Sequence, residues 1–136
     1  MTRRESIIQA AVAAVMAALP GISVYREAVG AMPRDAGVFI VVRPLSDSAN
    51  ARVNEQQDHK LIIAISIVTR GVAAEMEADS YCSAAHVALT SNQNIGGALS
   101  VMFERTVFSS EEADSGAVSV VETTYVVDYR SLFTSL

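Results

Sequence analysis

Apolar residues recur at helical spacing from the first turn of the chain. Ile7, Ile8, Ala11, Val15 and then Ala18 or Leu19 fall on one stripe, which predicts an amphipathic helix over 3–18. Thr2 and Glu5 have the spacing of a capping box, and Pro20-Gly21 supplies the stop. Arg3, Arg4 and Gln9 then face water or a neighbouring subunit. The period switches to two at 22–27, where Ile22 and Val24 alternate with Ser23 and Tyr25. A loop is expected at 31–37, then a nearly continuous apolar strand over 38–43 that Pro44 closes. The strongest strand signal covers 59–70. Leu61, Ile63, Ile65 and Ile67 share one face, while Ile62, Ala64 and Val68 share the other, broken only by Ser66. Apolar side chains on both faces predict a central strand, or one whose second face meets a partner.

Helical spacing returns over 73–90 through Ala74, Ala78, Tyr81 or Cys82, Ala85 and Leu89. Glu75, Glu77 and Asp79 crowd its first turns, where the helix dipole favours negative charge. After an exit loop at 92–97, two strands are expected at 99–108 and 118–130, with 109–116 between them. In the last, Val121, Thr123, Tyr125, Val127 and Tyr129 share a face; the opposite face is mixed and suits solvent or another chain. The order α-β-β-β-α-β-β predicts an α+β fold. Its sheet is mostly antiparallel, of about five strands, with two helices packed on one face. The chain, residues 1–136, is read as a single domain. The polar run 46–57 is long for a connection, and two readings stand: a hairpin tip with no role, or a loop that orders on assembly.

Composition sharpens this. Hydrophobic residues make up 51% of the chain but aromatics only 6%, and Trp is absent, so the core rests on small side chains and leaves burial for subunit contacts. The net charge of −5 is uneven: residues 1–60 hold seven Lys/Arg and six Asp/Glu, residues 61–136 three and nine. So acidic a second half argues against a surface that grips DNA, since duplex binding needs cations on phosphates. It is compatible with DNA sliding past a repulsive wall. Cys82 is the only cysteine, which excludes an intrachain disulfide and a Cys-based metal cage; a reducing compartment is the simplest setting. Glu5 and Gln9 interrupt the basic, Ala-rich start, which therefore reads as a folded helix and not a signal peptide. No stretch reaches the ~20 apolar residues of a membrane span.

Candidate chemistry is sparse. Cys82 and His86 sit one helical turn apart, yet no further metal ligand or orienting residue is evident beside them, and His59 stands apart at a strand start. Glu111, Glu112 and Asp114 lie within a few residues but lack the alternating ligands of a calcium loop; a solvated turn is the simpler reading. Gly96-Gly97 opens no strand-to-helix phosphate loop. No convergent set of acid, base and nucleophile is apparent, so neither enzyme activity nor a cofactor is expected.

The organisation resembles the bacteriophage tail terminator family, the small proteins that cap the tail tube (minor tail protein U of lambdoid phages and related tail-completion proteins). The features that carry it span nearly the whole chain: the opening helix over 3–19, the strand 38–43, the polar run 46–57, the strand 59–70, the helix around Ala78-Asp79-Ser80-Tyr81, and the closing Thr124-Tyr125-Val126-Val127-Asp128-Tyr129. The resemblance implies a non-catalytic virion protein without a cofactor, forming a hexameric ring that stops tube polymerisation and docks to the head. Its implied partners are further copies of itself, the major tail tube protein and the head–tail connector, with DNA passing nearby and no membrane. The implied location is the host cytoplasm during assembly and then the virion tail. Within that picture Arg34, Arg43, Arg52, Asn54 and Glu55 are expected at a subunit or tube interface, and Glu111, Glu112 and Asp114 on an acidic or lumenal face. Other head–tail joining or neck subunits share these features, and a small ligand-binding α+β domain is the alternative from another class.

Overall fold

The fold is read from a computed structural model that describes residues 1–26, 37–71, 74–113 and 116–135. The expected loop at 31–36 lies outside them. The first helix, α1, runs Arg3–Ala18. Thr2 Oγ1 accepts from the Glu5 amide at 3.0 Å, one half of the capping box; the Glu5 carboxylate turns instead to Gln9 and Arg26. The strands are β1 (Ser23–Tyr25), β2 (Val38–Ala51), β3 (Gln56–Arg70), β4 (Ser100–Ala113) and β5 (Gly116–Leu132), with α2 (Ala74–Thr90) between β3 and β4. Among the described residues one sheet holds all five in the order β1-β2-β3-β5-β4, and only the β1–β2 pair is parallel. The predicted element order and the α+β class are those found.

Three boundaries differ from the sequence reading. Pro44 does not end β2. The strand continues past a bulge at Leu45, where the pairing with β3 slips between Pro44 and Ser46. A proline is tolerated there because β2 has no strand beyond β1's three residues on its outer side among the described residues, and because a bulge relieves the ladder. The polar run 46–57 is therefore mostly strand: Ser46–Ala51 pair with Gln57–Ile62, leaving a tip of only 52–55. Backbone pairing needs no apolar side chains, so a solvated ribbon carries no alternation for a sequence reading to find. The stretch 109–113 likewise belongs to β4, paired with β5 as far as Ala113 opposite Gly116.

Both helices pack on one face of the sheet. Ile7, Ile8, Ala11 and Val15 of α1 and Ala78, Ala85 and Leu89 of α2 meet the odd-numbered residues of β3 and β5, with Ile63, Ile65, Tyr125 and Tyr129 almost fully enclosed. Each such large side chain contributes about 1.5–3 kcal/mol of apolar burial. β3 is the central strand, as its two apolar faces predicted. On the face away from the helices, Ala64 and Thr124 are also buried. Arg43 of β2 reaches across β3 to Glu122 of β5 at 3.2 Å, and Ser66 Oγ donates to the same carboxylate at 3.1 Å.

A short 3₁₀ turn, Ile95–Gly97, seats the entry to β4 against α1. Gly96 has φ +60°, and a Cβ there would lie 2.6 Å from the Ile7 Cα and from the Ser6 carbonyl oxygen. Both obstacles are helix backbone and cannot swing aside. Gly96→Ala is therefore expected to cost roughly 3 kcal/mol in urea unfolding, combining left-handed strain with overpacking. Gly37→Ala, with open space at its Cβ, is the control and should change stability little.

Candidate functional site

The bulge at Leu45 has a consequence for chemistry. Before it, the even-numbered residues of β2 (Ile40, Val42) face the helices; after it, the odd-numbered ones do, because one extra residue inverts every later side chain. Asp47 is thereby turned inward, opposite Leu61, under the N-terminus of α1. Its side chain is 9% exposed. Asp47 Oδ2 accepts from Arg4 Nε at 2.8 Å and from the Tyr129 hydroxyl, while Oδ1 meets His59 Nδ1 at 2.9 Å. His59, 3% exposed, stacks on Tyr129 with ring centroids 4.3 Å apart, and its Nε2 lies 2.8 Å from Ser131 Oγ. Placing the proton on Nδ1 satisfies both ring nitrogens, with Asp47 accepting and Ser131 donating.

Carboxylate, imidazole and hydroxyl in that order are also the parts of a serine nucleophile. Here the hydroxyl is tied down: Gln57 Nε2 donates to Ser131 Oγ at 3.2 Å, and the Ser135 carbonyl oxygen lies 3.0 Å from it. The carboxylate is shared among three donors. The arrangement fastens α1, β2, β3 and β5 to one buried charge. Burial, and then the Asp47 carboxylate, push the Tyr129 phenol up to about 12, so it remains a donor across the neutral range.

An open groove of about 480 Å³ lies between α2 and β4, with walls that include Asp79, Cys82, His86, Phe103 and Tyr125. Cys82 and His86 do share it, as their spacing required. His86 Nδ1, however, bonds the Tyr125 hydroxyl at 3.0 Å, and burial pushes the Cys82 thiol up, away from the reactive thiolate. Among the described residues no three His, Cys, Asp or Glu side chains converge as a metal site.

The residues expected at interfaces are spread over the molecule. Arg52, Asn54 and Glu55 come together at the β2–β3 tip, where Arg52 pairs with Asp58 at 3.1 Å and both Asn54 and Glu55 have positive φ. Arg43 lies far back along β2 on the outer face, paired with Glu122. Glu111 and Glu112 sit on β4 at the other end of the sheet, opposite Val118 and Ala117. Arg34 and Asp114 lie outside the described residues. The sequence reading missed the Asp47 cluster. Its only signal was an acidic residue just after Pro44-Leu45, in phase with His59 and Tyr129 once a bulge is allowed. It also missed the exposed apolar residues of β4, Met102, Phe103, Val107 and Phe108.

No protein-family model and no curated protein matches the chain. Its fold does match solved structures. A chain of the virion of a native gene transfer agent particle superposes with a TM-score of 0.65 at 17% identity, covering 96% of this chain and 92% of that one. A second solved chain aligns with a TM-score of 0.52 at 17% identity, over 91% of this chain and 92% of that one. At that identity the likeness is one of fold, extending over nearly the full length of each chain.

Two expectations follow from the cluster. Asp47→Ala leaves His59, Tyr129 and Arg4 without their shared acceptor and should cost about 3 kcal/mol in urea unfolding. Stability should also depend on alkaline pH. The Tyr129 phenol, and the Tyr125 phenol that burial likewise pushes to about 12, titrate above the ordinary value of 10. Their contribution is complete below pH 10 and lost as the pH rises from 10 to 12. Melting temperatures across that window check it, and Tyr129→Phe should flatten part of the decline.

Proposed function

We propose that this chain is a structural protein of a phage-like virion that closes a tail tube. Copies assemble as a ring of six on the tube end, stop its polymerisation and present the surface to which the head joins. The observation that carries the proposal is the near full-length fold correspondence with a chain of the gene transfer agent virion. The element order, on which the resemblance to tail terminators rests, adds to it. The role is structural and asks for no catalytic group or cofactor. Its partners are further copies of the chain, the tube protein and the head connector, met in the host cytoplasm and kept in the virion.

In this proposal the β2–β3 tip, with Arg52, Asn54 and Glu55, contacts the tube or a neighbouring subunit, joined by Arg34 and Arg43. Glu111 and Glu112, at the end of the sheet away from that tip, and with them Asp114, supply an acidic face toward the lumen that repels passing DNA. The test is tube length. Purified tube protein from the same particle is polymerised with and without this chain, and lengths are measured by electron microscopy. We expect added chain to arrest growth and narrow the length distribution. Unchanged lengths with the chain bound to the head connector instead would favour a neck subunit.

A further inference from the structure

Residues 132–135 fold back on the β2–β3 tip. Leu132 pairs with Gln56, and the Phe133 amide donates to the Glu55 carbonyl at 3.0 Å. A turn follows, closed by the Ser135 amide on the Leu132 carbonyl at 3.1 Å. The tip that it touches is strained. Asn54 and Glu55 have φ of +65° and +60°, the left-handed region that is costly for a residue with a Cβ. Surrounding contacts must hold such a backbone, and the bond from Phe133 to Glu55 is one of them.

One hydroxyl proton decides how firmly the turn is fastened. Ser131 Oγ lies 2.8 Å from His59 Nε2, 3.0 Å from the Ser135 carbonyl oxygen and 3.2 Å from that of Leu132. It has a single proton for these three acceptors. The Asp47 carboxylate can only accept, so it keeps the proton of the neutral imidazole on Nδ1, and Nε2 takes the Ser131 proton. The Ser135 carbonyl is then left with Gln57 Nε2 at 3.4 Å. A second proton on His59 reverses this. Nε2 becomes a donor to Ser131 Oγ, the hydroxyl turns to the Ser135 carbonyl, and a charge-assisted chain runs from Asp47 to the turn.

The groups around His59 set the balance. Asp47 from β2 favours the added charge, while Arg4 from α1, on the other oxygen of that carboxylate, opposes it. The Tyr129 phenol from β5 stays neutral and donates to Asp47. The β3 neighbours Asp58 and Lys60 point to the opposite face, where Asp58 pairs with Arg52 and Arg130, and Lys60 with Asp128. His59 is buried, yet it forms part of the wall of an open cavity of about 270 Å³, which gives a proton its route.

We propose that His59 is a proton sensor and the turn 132–135 its clamp: protonation of His59 passes through Ser131 to the Ser135 carbonyl and tightens the turn on the β2–β3 tip. Histidine is the side chain that gains its charge between about pH 8 and 5, so the tip is held more firmly in acid. The clamp stands whether or not the tip meets a tail tube.

Amide hydrogen exchange of the full chain between those two pH values, expressed as protection factors, tests it. The Phe133 and Ser135 amides should gain roughly tenfold in protection as the pH falls, the effect of one added hydrogen bond in a charged chain. Ser131→Ala breaks the relay but keeps Asp47 on His59, and should remove the dependence on pH. His86→Gln should retain it, since the other histidine is bonded to Tyr125, well back along β5. Where Ser131→Ala does not fold, nitrogen NMR shifts of the wild-type His59 ring take its place: Nε2 should gain its proton over the same pH range in which the two amides gain protection. Protection that ignores pH, that changes equally in Ser131→Ala, or that loses its pH dependence in His86→Gln would overturn the proposal. So would amides that tighten while Nε2 is still bare.

Discussion

A carboxylate removed from water must be matched donor for donor, and Asp47 sets that requirement for half of this fold. Its partners come from α1 (Arg4), β3 (His59) and β5 (Tyr129), so satisfying it fixes the helix over the ribbon and the register of three strands together. A buried ion pair adds little net stability over apolar packing, but breaking one is costly. Its use is to exclude alternatives. A β2 strand without the bulge at Leu45 would place Asp47 on the outer face and take from Arg4, His59 Nδ1 and the Tyr129 hydroxyl the acceptor they share. The polar ribbon of β2 and β3 has few apolar contacts to define its register, and the cluster supplies that definition.

The repeating parts of the architecture were legible in the sequence because they obey a period. The α1 stripe ending at Pro20-Gly21, the two apolar faces of β3 and the alternation of β5 each gave element and orientation. The β2–β3 ribbon did not, because Ser46–Ala51 are held by backbone pairing and show no burial pattern. Pro44 read as a stop because its usual meaning in a sheet is an end; only the bulge makes it an interior residue. The Asp47 cluster joins residues up to 82 positions apart through that same inversion of phase. Of the expected interface residues, the tip group Arg52, Asn54 and Glu55 is brought together, while Arg43 is spent on Glu122. The exposed apolar pairs of β4 were visible as letters, but only the strand order shows that they lie on an edge.

That strand order puts β1 and β2 on one side of the sheet and β4 on the other, with β3 and β5 between them. The two halves of the chain are tied across the middle by ion pairs, Arg43 with Glu122, Lys60 with Asp128 and Arg130 with Asp58. The buried polar cluster holds the β2–β3 ribbon in place over that layer.

The most direct test is where the chain resides in the finished particle. Electron cryo-microscopy of intact particles, with this chain tagged, should find it as one closed ring at the head-proximal end of the tail tube. Particles that lack it, or that carry it along the length of the tube, would contradict the account.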